Sequence, residues 1–265
     1  MSETRLNNEQ QEFQEFCRRW LGENRPGPTK TPLPQAAYEV VDEEHRIYLS
    51  EWQAKCYQAG LIATDLPKEY GGHGHTGLQQ IASAEVHRAK VPYFINWIGL
   101  WMTVPTLLAH GTEDQKKTFL PPIFTAEHIW CQGFSEPSSG SDLASLRTRA
   151  EPDGDDFRIT GQKVWTTFGP WADWIFVLAR TDPEDRYGGI SFFLVPIDQE
   201  GVEMRPLKQI TGESEFGEVF FDGALAKREH LVGQEGEGWR IAMTVLGYER
   251  GASTLASPAE YASQL

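Results

Sequence analysis

Cysteine is scarce in this chain: Cys17, Cys56 and Cys131 are the three in 265 residues. They lie far apart, lack metal-ligand spacing and are odd in number, which argues against a disulfide framework and for a reducing compartment. Long apolar runs are missing too. None approaches the roughly 20 residues that cross a bilayer, so no membrane span is expected. Basic residues fall short of acidic ones, 24 against 38, leaving a net charge of -14 with no local basic patch. An extended phosphate backbone would be repelled, and nucleic acid is not expected as a partner. The N-terminus carries Glu3 and Glu9 and no apolar core, so it reads neither as a secretory signal nor as an acid-poor transit peptide. The expected location is the cytoplasm.

What is present is globular: 40% apolar and 23% charged residues, in a chain long enough for one large domain or two ordinary ones. Phe13, Phe16, Cys17, Trp20 and Leu21 recur at helical spacing, predicting an amphipathic helix over Leu6 to Leu21 with Asn7 or Asn8 as cap. The link R-P-G-P-T-K-T-P-L-P is expected to be extended, before a second helix from about Ala36 to Ala59 that Gly60 ends. Four glycines in K-E-Y-G-G-H-G-H-T-G predict a flexible loop. Helical patterns follow from Leu78 to Ala89 and from Tyr93 to His110. Thr112 to Gln115 is a capping box, opening a short helix that Pro121 and Pro122 should stop.

Past Glu127 the texture changes. H-I-W-C-Q-G-F, K-V-W-T-T, W-I-F-V-L-A-R and I-S-F-F-L-V-P are short, aromatic and β-branched, broken by Gly, Asp and Pro, and predict an antiparallel β-domain. From Gly236, G-W-R-I-A-M-T-V-L restores helical spacing through to Leu265. The expected fold class is therefore α+β: an all-helical domain over residues 1–126, an antiparallel, barrel-like domain over 127–234, and the start of a C-terminal helical domain over 235–265.

Two segments carry chemistry. Gln132 to Asp142 reads Q-G-F-S-E-P-S-S-G-S-D, and Gly161 to Thr167 reads G-Q-K-V-W-T-T. Taken alone, the serine-rich loop is a solvated turn; between two strands, its N–H groups near Gly140 and Ser141 are also placed to gather an anion such as a pyrophosphate. Trp165, one of nine tryptophans, reads by itself as core packing. Alternation on a strand, however, puts Trp165 and Thr167 on one face, and an indole beside a hydroxyl suits a flat heterocycle such as a flavin. His73 and His75 sit in the glycine loop without a third ligand nearby, so no metal site is expected.

With these segments, H-G-T-E-D-Q-K-K-T-F-L-P from His110, G-I-S-F-F-L-V-P from Gly189 and G-E-G-W-R-I-A-M from Gly236 occur in the order found in one family. The chain resembles the acyl-CoA dehydrogenases, flavoproteins with an N-terminal helical domain, a β-domain and a C-terminal helical domain. The resemblance implies FAD as cofactor. Gln132, Phe134 and Ser135 would border the pyrimidine side of its ring, Ser135 by its hydroxyl. Ser141 would meet FAD phosphate or the acyl-CoA substrate. Trp165 would lie against the ring, with Thr166 and Thr167 near its N5 edge. The implied reaction removes two hydrogens from adjacent carbons of an acyl thioester: a carboxylate takes the α-proton and the β-hydrogen leaves as hydride to the flavin.

The α-proton is a poor acid, so the base must be desolvated and the thioester carbonyl polarised. In many family members the base lies late in the C-terminal domain. A second family arrangement has Glu directly before Arg on that domain's first helix, where G-Y-E-R-G supplies Glu249 as candidate base and Arg250 as a substrate-binding neighbour. Such a pair is otherwise an ordinary solvated feature of a helix surface. Further implications are an electron-transfer flavoprotein or similar acceptor, and a dimer or tetramer in the complete form.

By this reading the C-terminal domain is only begun: Ile241, Ala242, Val245 and Leu246 form an apolar face expected to lack most of its partners. Three readings follow, namely a fragment of a dehydrogenase, a split enzyme completed by another chain, and a non-catalytic module on the same fold. An acyl-CoA oxidase is the near alternative in activity.

Overall fold

A computed structural model describes residues 6–30, 40, 42–210, 212 and 214–262, with side chains as far as residue 250. The first helix, α1 (Asn8–Asn24), starts where the Asn7 side chain accepts the Gln10 amide at 2.9 Å and Gln10 accepts the Asn7 amide at 3.1 Å. This reciprocal cap satisfies two otherwise orphaned donors. The second helix, α2 (Glu43–Gln58), is capped by Asp42 and closed by Gly60, whose φ of +82° suits the left-handed turn after a helix. The expected start at Ala36, and most of the proline-rich link, lie outside the described residues.

The glycine loop is tied down, not flexible. The amides of His73, Gly74 and His75 donate to the carbonyls of Ala63, Leu66 and Thr64 at 3.0, 2.8 and 3.0 Å. The Tyr57 hydroxyl donates to the Gly71 carbonyl at 2.7 Å. Any side chain at Gly72 would collide with the Leu66 carbonyl, so its glycine serves close approach of backbone rather than mobility.

After α3 (Gln79–Arg88), a π turn, Gly99–Thr103, runs into α4 (Val104–His110). The helical segment begins at Trp97, later than the expected Tyr93. Asn96 is drawn out of it, because its amide donates to Gln53 Oε1 at 3.0 Å. The next helix, α5 (Glu113–Phe124), opens on the expected Thr112 to Gln115 capping box but passes through Pro121 and Pro122. Burial of Ile123 and Phe124 holds this last turn, while the amides of Thr125 and His128 take up the carbonyls of Pro121 and Pro122 at 3.3 and 3.0 Å.

Among the described residues eight strands follow: β1 (Trp130–Gly133), β2 (Arg149–Asp153), β3 (Asp156–Thr167), β4 (Trp174–Arg180), β5 (Ile190–Pro196), β6 (Val202–Leu207), β7 (Phe216–Ala226) and β8 (Leu231–Val232). The sheet runs β6-β7-β3-β2-β4-β5-β8, with β1 beside β4. Among the described residues its ends, β6 and β8, do not pair, so the sheet is open and barrel-like only in a loose sense. Most pairings are antiparallel, but β1 and β2 both join β4 in parallel, β1 along Trp174 to Val177 and β2 at Arg180. These two strands share one edge of β4 in succession. The chain between them, Phe134 to Thr148, is thereby pushed out of the sheet, and it carries the serine-rich loop.

The last helix, α6 (Gly238–Ala262), does find a partner surface. Ile241, Ala242 and Val245 are fully buried and Leu246 half-buried, which corrects the expectation of an unsupported apolar face. Gly238 makes this possible: a Cβ there would lie 2.5 Å from the Ser191 carbonyl carbon of β5. Buried side chains the size of Ile241 and Val245 stabilise by about 1.5–3 kcal/mol each. Asn96 joins the helical and sheet layers, its Nδ2 donating to the carbonyls of Ile123 and His128 at 3.0 and 2.7 Å while its Oδ1 accepts the Trp130 amide at 2.9 Å.

Candidate functional site

The two chemistry-bearing segments meet. Where β1 leaves the sheet, the Ser135 carbonyl accepts the Val164 amide of β3 at 2.9 Å. One residue later β3 departs from simple alternation: between Lys163 and Thr166 its register against β7 shifts, and Trp165 takes φ +61°. A β-branched or bulky residue holds that left-handed geometry only at a cost. The bulge leaves Trp165 63% exposed, an unusual amount of indole to leave in water. Its ring meets Phe216 edge-on, centroids 6.0 Å apart, and the half-buried Thr167 is paired in register with the same Phe216. Indole and Thr167 thus flank one point on the sheet, beside half-buried Ser135.

The other expected contacts are distributed differently. Thr166 is fully buried, and its hydroxyl has no hydrogen-bond partner. The bulge turns it to the inner side with Lys163, and Thr167 is the half-buried hydroxyl beside the indole. Phe134 is also a core side chain, packed edge-on to Phe176 and Phe192 at 5.7 and 6.2 Å. Only its backbone remains to face a ligand. Gln132 is half-buried on β1, in register with Phe176.

Ser141 and Gly140 are exposed at the tip of the loop. Ser139 Oγ donates to the Asp142 carbonyl at 2.9 Å, and Asp142 pairs with Arg186 at 2.6 Å, which braces the turn from outside. Neither Gly140 nor Ser141 has positive φ, so no left-handed kink gathers their N–H groups into a concavity. The Ser141 hydroxyl is the group the turn presents.

A feature that motif reading passed over lies directly beneath. Lys163 is fully buried, and its ammonium donates to Glu136 Oε1 at 2.8 Å and to the Phe134 carbonyl at 3.2 Å. Burial pushes its pKa down to about 8, Glu136 opposes that shift, and Arg180 adds to it. Glu136 is likewise raised by burial, but Lys163 and the Thr148 hydrogen bonds outweigh this and hold it below the usual glutamate range. Its carboxylate also accepts the amides of Arg147 and Thr148 at 2.7 and 2.9 Å. A signal existed in the sequence, since the period-2 pattern of buried Phe157 and Ile159 runs on to Lys163.

Glu249 and Arg250 lie on α6, eight residues beyond Ile241 in the case of Glu249, hence about 12 Å further along the helix at 1.5 Å per residue. Both are exposed. The protein around the Glu249 carboxyl nonetheless desolvates it and raises its pKa, with Arg250 opposing. Among the described contacts, none joins Glu249 to Ser135 or Trp165. His73 turns to the Tyr57 carbonyl at 2.9 Å, and among the described residues no three His, Cys, Asp or Glu side chains gather to hold a metal ion. The three cysteines are buried and unpaired by disulfides, and burial raises each thiol, Cys17 to about 12. Among the described residues no helix is long and apolar enough to cross a membrane.

Comparison with known proteins matches this arrangement. Residues 7–127 fit the family model for the acyl-CoA dehydrogenase N-terminal domain, and residues 131–224 that for the middle domain. The acyl-CoA dehydrogenase IpdE1 of Mycobacterium tuberculosis is 43% identical over 261 residues, covering 96% of this chain and 66% of its own length. FadE34 of the same organism is 44% identical over 75% of this chain and 28% of its own length. Among solved structures, the Tcur3481-Tcur3483 steroid ACAD superposes with a TM-score of 0.74 at 32% identity, covering 94% of this chain and 63% of that one. The Geobacillus kaustophilus acyl-CoA dehydrogenase gives 0.72 at 26%, covering 94% and 64%. The chain therefore spans about two thirds of the length of most of these relatives. With both domain models matched in order and 96% of its length aligned to IpdE1, this chain belongs to the acyl-CoA dehydrogenase family.

Proposed function

We propose that this chain carries the flavin site of an FAD-dependent enzyme that dehydrogenates an acyl-CoA thioester between Cα and Cβ. The observation that supports this best is the exposed, conformationally strained Trp165, next to Thr167 and bonded through Val164 to Ser135. An indole held open to solvent at φ +61° gains nothing for the core, which fits a platform for a planar ring. FAD, when bound, supplies the two-electron acceptor that no side chain provides.

The chain's own residues then have distinct tasks. Trp165 supports the ring face, Ser135 and Thr167 hydrogen-bond its rim, and Gln132 with the Phe134 backbone borders it. Ser141 meets a phosphate or the thioester end of the substrate, with Arg250 as a further substrate contact. Glu249 is the proposed base, and its raised pKa suits a carboxylate that must accept a proton from carbon. The likeness to a protein titled a steroid ACAD supports a fatty or steroid-derived acyl group, and a neighbour titled an electron transferring flavoprotein of Acidaminococcus fermentans supports such a flavoprotein or a similar acceptor as partner. Cytoplasmic location and the domain limits 1–126, 127–234 and 235–265 belong to the same proposal.

The test is reconstitution with FAD followed by anaerobic addition of acyl-CoA. Bound flavin with a visible spectrum that bleaches supports the reading, and Glu249→Gln should abolish bleaching while leaving flavin bound. Full bleaching by that variant would assign the base elsewhere, and hydrogen peroxide formed in air would indicate an oxidase. A second reading has its own support: a structural neighbour covering 93% of this chain is titled the ChsE4-ChsE5 complex. In it, this chain is one subunit of a two-chain enzyme. FAD uptake only in the presence of a second family member would favour it.

A further inference from the structure

We propose that Lys163 is a positioning residue of the flavin site: its buried ammonium clamps Ser135 against the bulge that presents Trp165. The inference rests on the flavin reading above and deepens it. A fully buried ammonium is a costly choice inside a sheet, where a methionine of similar shape would pack without penalty. Buried ion pairs often add little net stability, so direction is the property that a lysine supplies here and a methionine does not.

The direction is specific. Lys163 Nζ bonds the Phe134 carbonyl at 3.2 Å and Glu136 Oε1 at 2.8 Å, the residues immediately before and after Ser135. Glu136 is fixed in turn by the amides of Arg147 and Thr148, and by paired backbone bonds with Ser139 at 2.8 and 3.0 Å. Ser135 itself accepts the amide of Val164, the residue after Lys163. Both neighbours of the serine are therefore tied to the strand that bulges two residues later at Trp165. One side chain sets how far the serine stands from the indole, across a gap where β1 has left the sheet.

The test uses the whole chain with Lys163→Met and Glu136→Gln combined, which removes both charges and leaves no lone buried ion. In the flavin-free protein, amide hydrogen exchange should quicken at least tenfold at Val164, Arg147 and Thr148, with Phe176 and Leu194 unchanged. On titration with FAD, affinity should fall at least tenfold, and bound flavin should become more emissive as the indole ceases to quench it. Lys163→Met alone, in which Glu136 keeps the Arg147 and Thr148 amides as partners, should shift both readouts the same way, which keeps the test open if the double variant folds poorly. Wild-type protection at Val164, or equal FAD affinity and emission, overturns the proposal. If the wild-type chain takes up no FAD, the flavin reading fails, while the exchange measurement still decides whether the clamp exists.

Discussion

The Val164 amide donates to the Ser135 carbonyl at 2.9 Å, joining two strands that pair with different partners on either side of it. β1 has just left β4, and β3 is about to bulge away from β7. A single backbone bond at this point lets the serine and the indole sit together without either belonging to a regular ladder. Sites built from the ends and irregularities of strands are held by the sheet yet free of its alternation.

Replacing Trp165 by Gly separates the role of the indole from that of the fold. Glycine adopts φ +61° freely and relieves about 1–2 kcal/mol of left-handed strain. Losing the edge-on contact with Phe216 costs about 0.5–1.5 kcal/mol. The two nearly cancel, so stability by urea titration should stay within about 1 kcal/mol of wild type. FAD affinity should fall about fivefold or more, since stacking on an aromatic side chain contributes about 1–3 kcal/mol per base. Undiminished affinity would remove the platform role.

Much of this architecture is legible from residue pattern. The capping boxes at Asn7 and Thr112, the closing Gly60 and the succession from helices to strands follow from local chemistry that tertiary structure does not override. The misreadings share a cause. Pro121 and Pro122 stay helical because Ile123 and Phe124 are buried beneath them, and the glycine loop is rigid because the segment Ala63 to Leu66 lies against it. Thr166 turns inward because of a bulge at which Trp165 alone, a non-glycine residue, has positive φ. Nothing local in V-W-T-T announces that bulge, and the Lys163–Glu136 bridge connects residues 27 apart. The order of motifs revealed the family; distant contacts decide which side chain of each motif faces the ligand.

The two neighbouring threonines should respond oppositely to the same change. Thr166→Val replaces a buried hydroxyl without a partner by a methyl of nearly equal size, and relieving an unsatisfied buried donor should stabilise the fold by about 1 kcal/mol. Flavin affinity should not change. Thr167→Val removes a half-buried hydroxyl beside the indole, and should weaken FAD binding severalfold with little effect on melting. Paired thermal melts and FAD titrations check this, and an exchange of the two phenotypes would reverse the assignment of faces.

Asn96→Ala should be among the most destabilising single changes outside the sheet. It leaves the His128 carbonyl and the Trp130 amide without the partner they have now, while the Ile123 carbonyl keeps Gln53 Nε2 and the Ala126 amide. At about 1–3 kcal/mol for each of the two buried groups left unsatisfied, partly offset by water, the loss should reach about 2–4 kcal/mol. Gly99→Ala should act through the same residue, because its Cβ would lie 2.5 Å from Asn96 Oδ1. Chemical denaturation would show both, with wild-type stability in either variant contradicting the role of Asn96 as the joint between layers.

The docking of α6 on α4 should weaken in mild acid. His110 Nε2 meets Thr244 Oγ1 at 3.0 Å, and Arg240 Nη1 donates to His110 Nδ1 at 3.3 Å, so the geometry requires a neutral ring with its proton on Nε2. Burial, then the Arg240 charge, lowers the His110 pKa below its ordinary value, with Glu237 opposing. The unfolded chain consequently takes up a proton on His110 before the folded chain does. Stability from this contact is complete above the unfolded pKa near 6.5 and declines as pH falls toward the lower folded value. Glu237, held below the usual glutamate range by the Gln234 amide and by Arg240, remains charged over the same interval and does not mask the effect. Hydrogen exchange at Ile241 and Val245 should therefore quicken on going from pH 7.5 to 5.5, after correction for the intrinsic rate, by on the order of threefold to tenfold. His110→Gln keeps a neutral polar side chain and should abolish that dependence. The same pH response in the variant as in wild type would place the acid-sensitive group elsewhere.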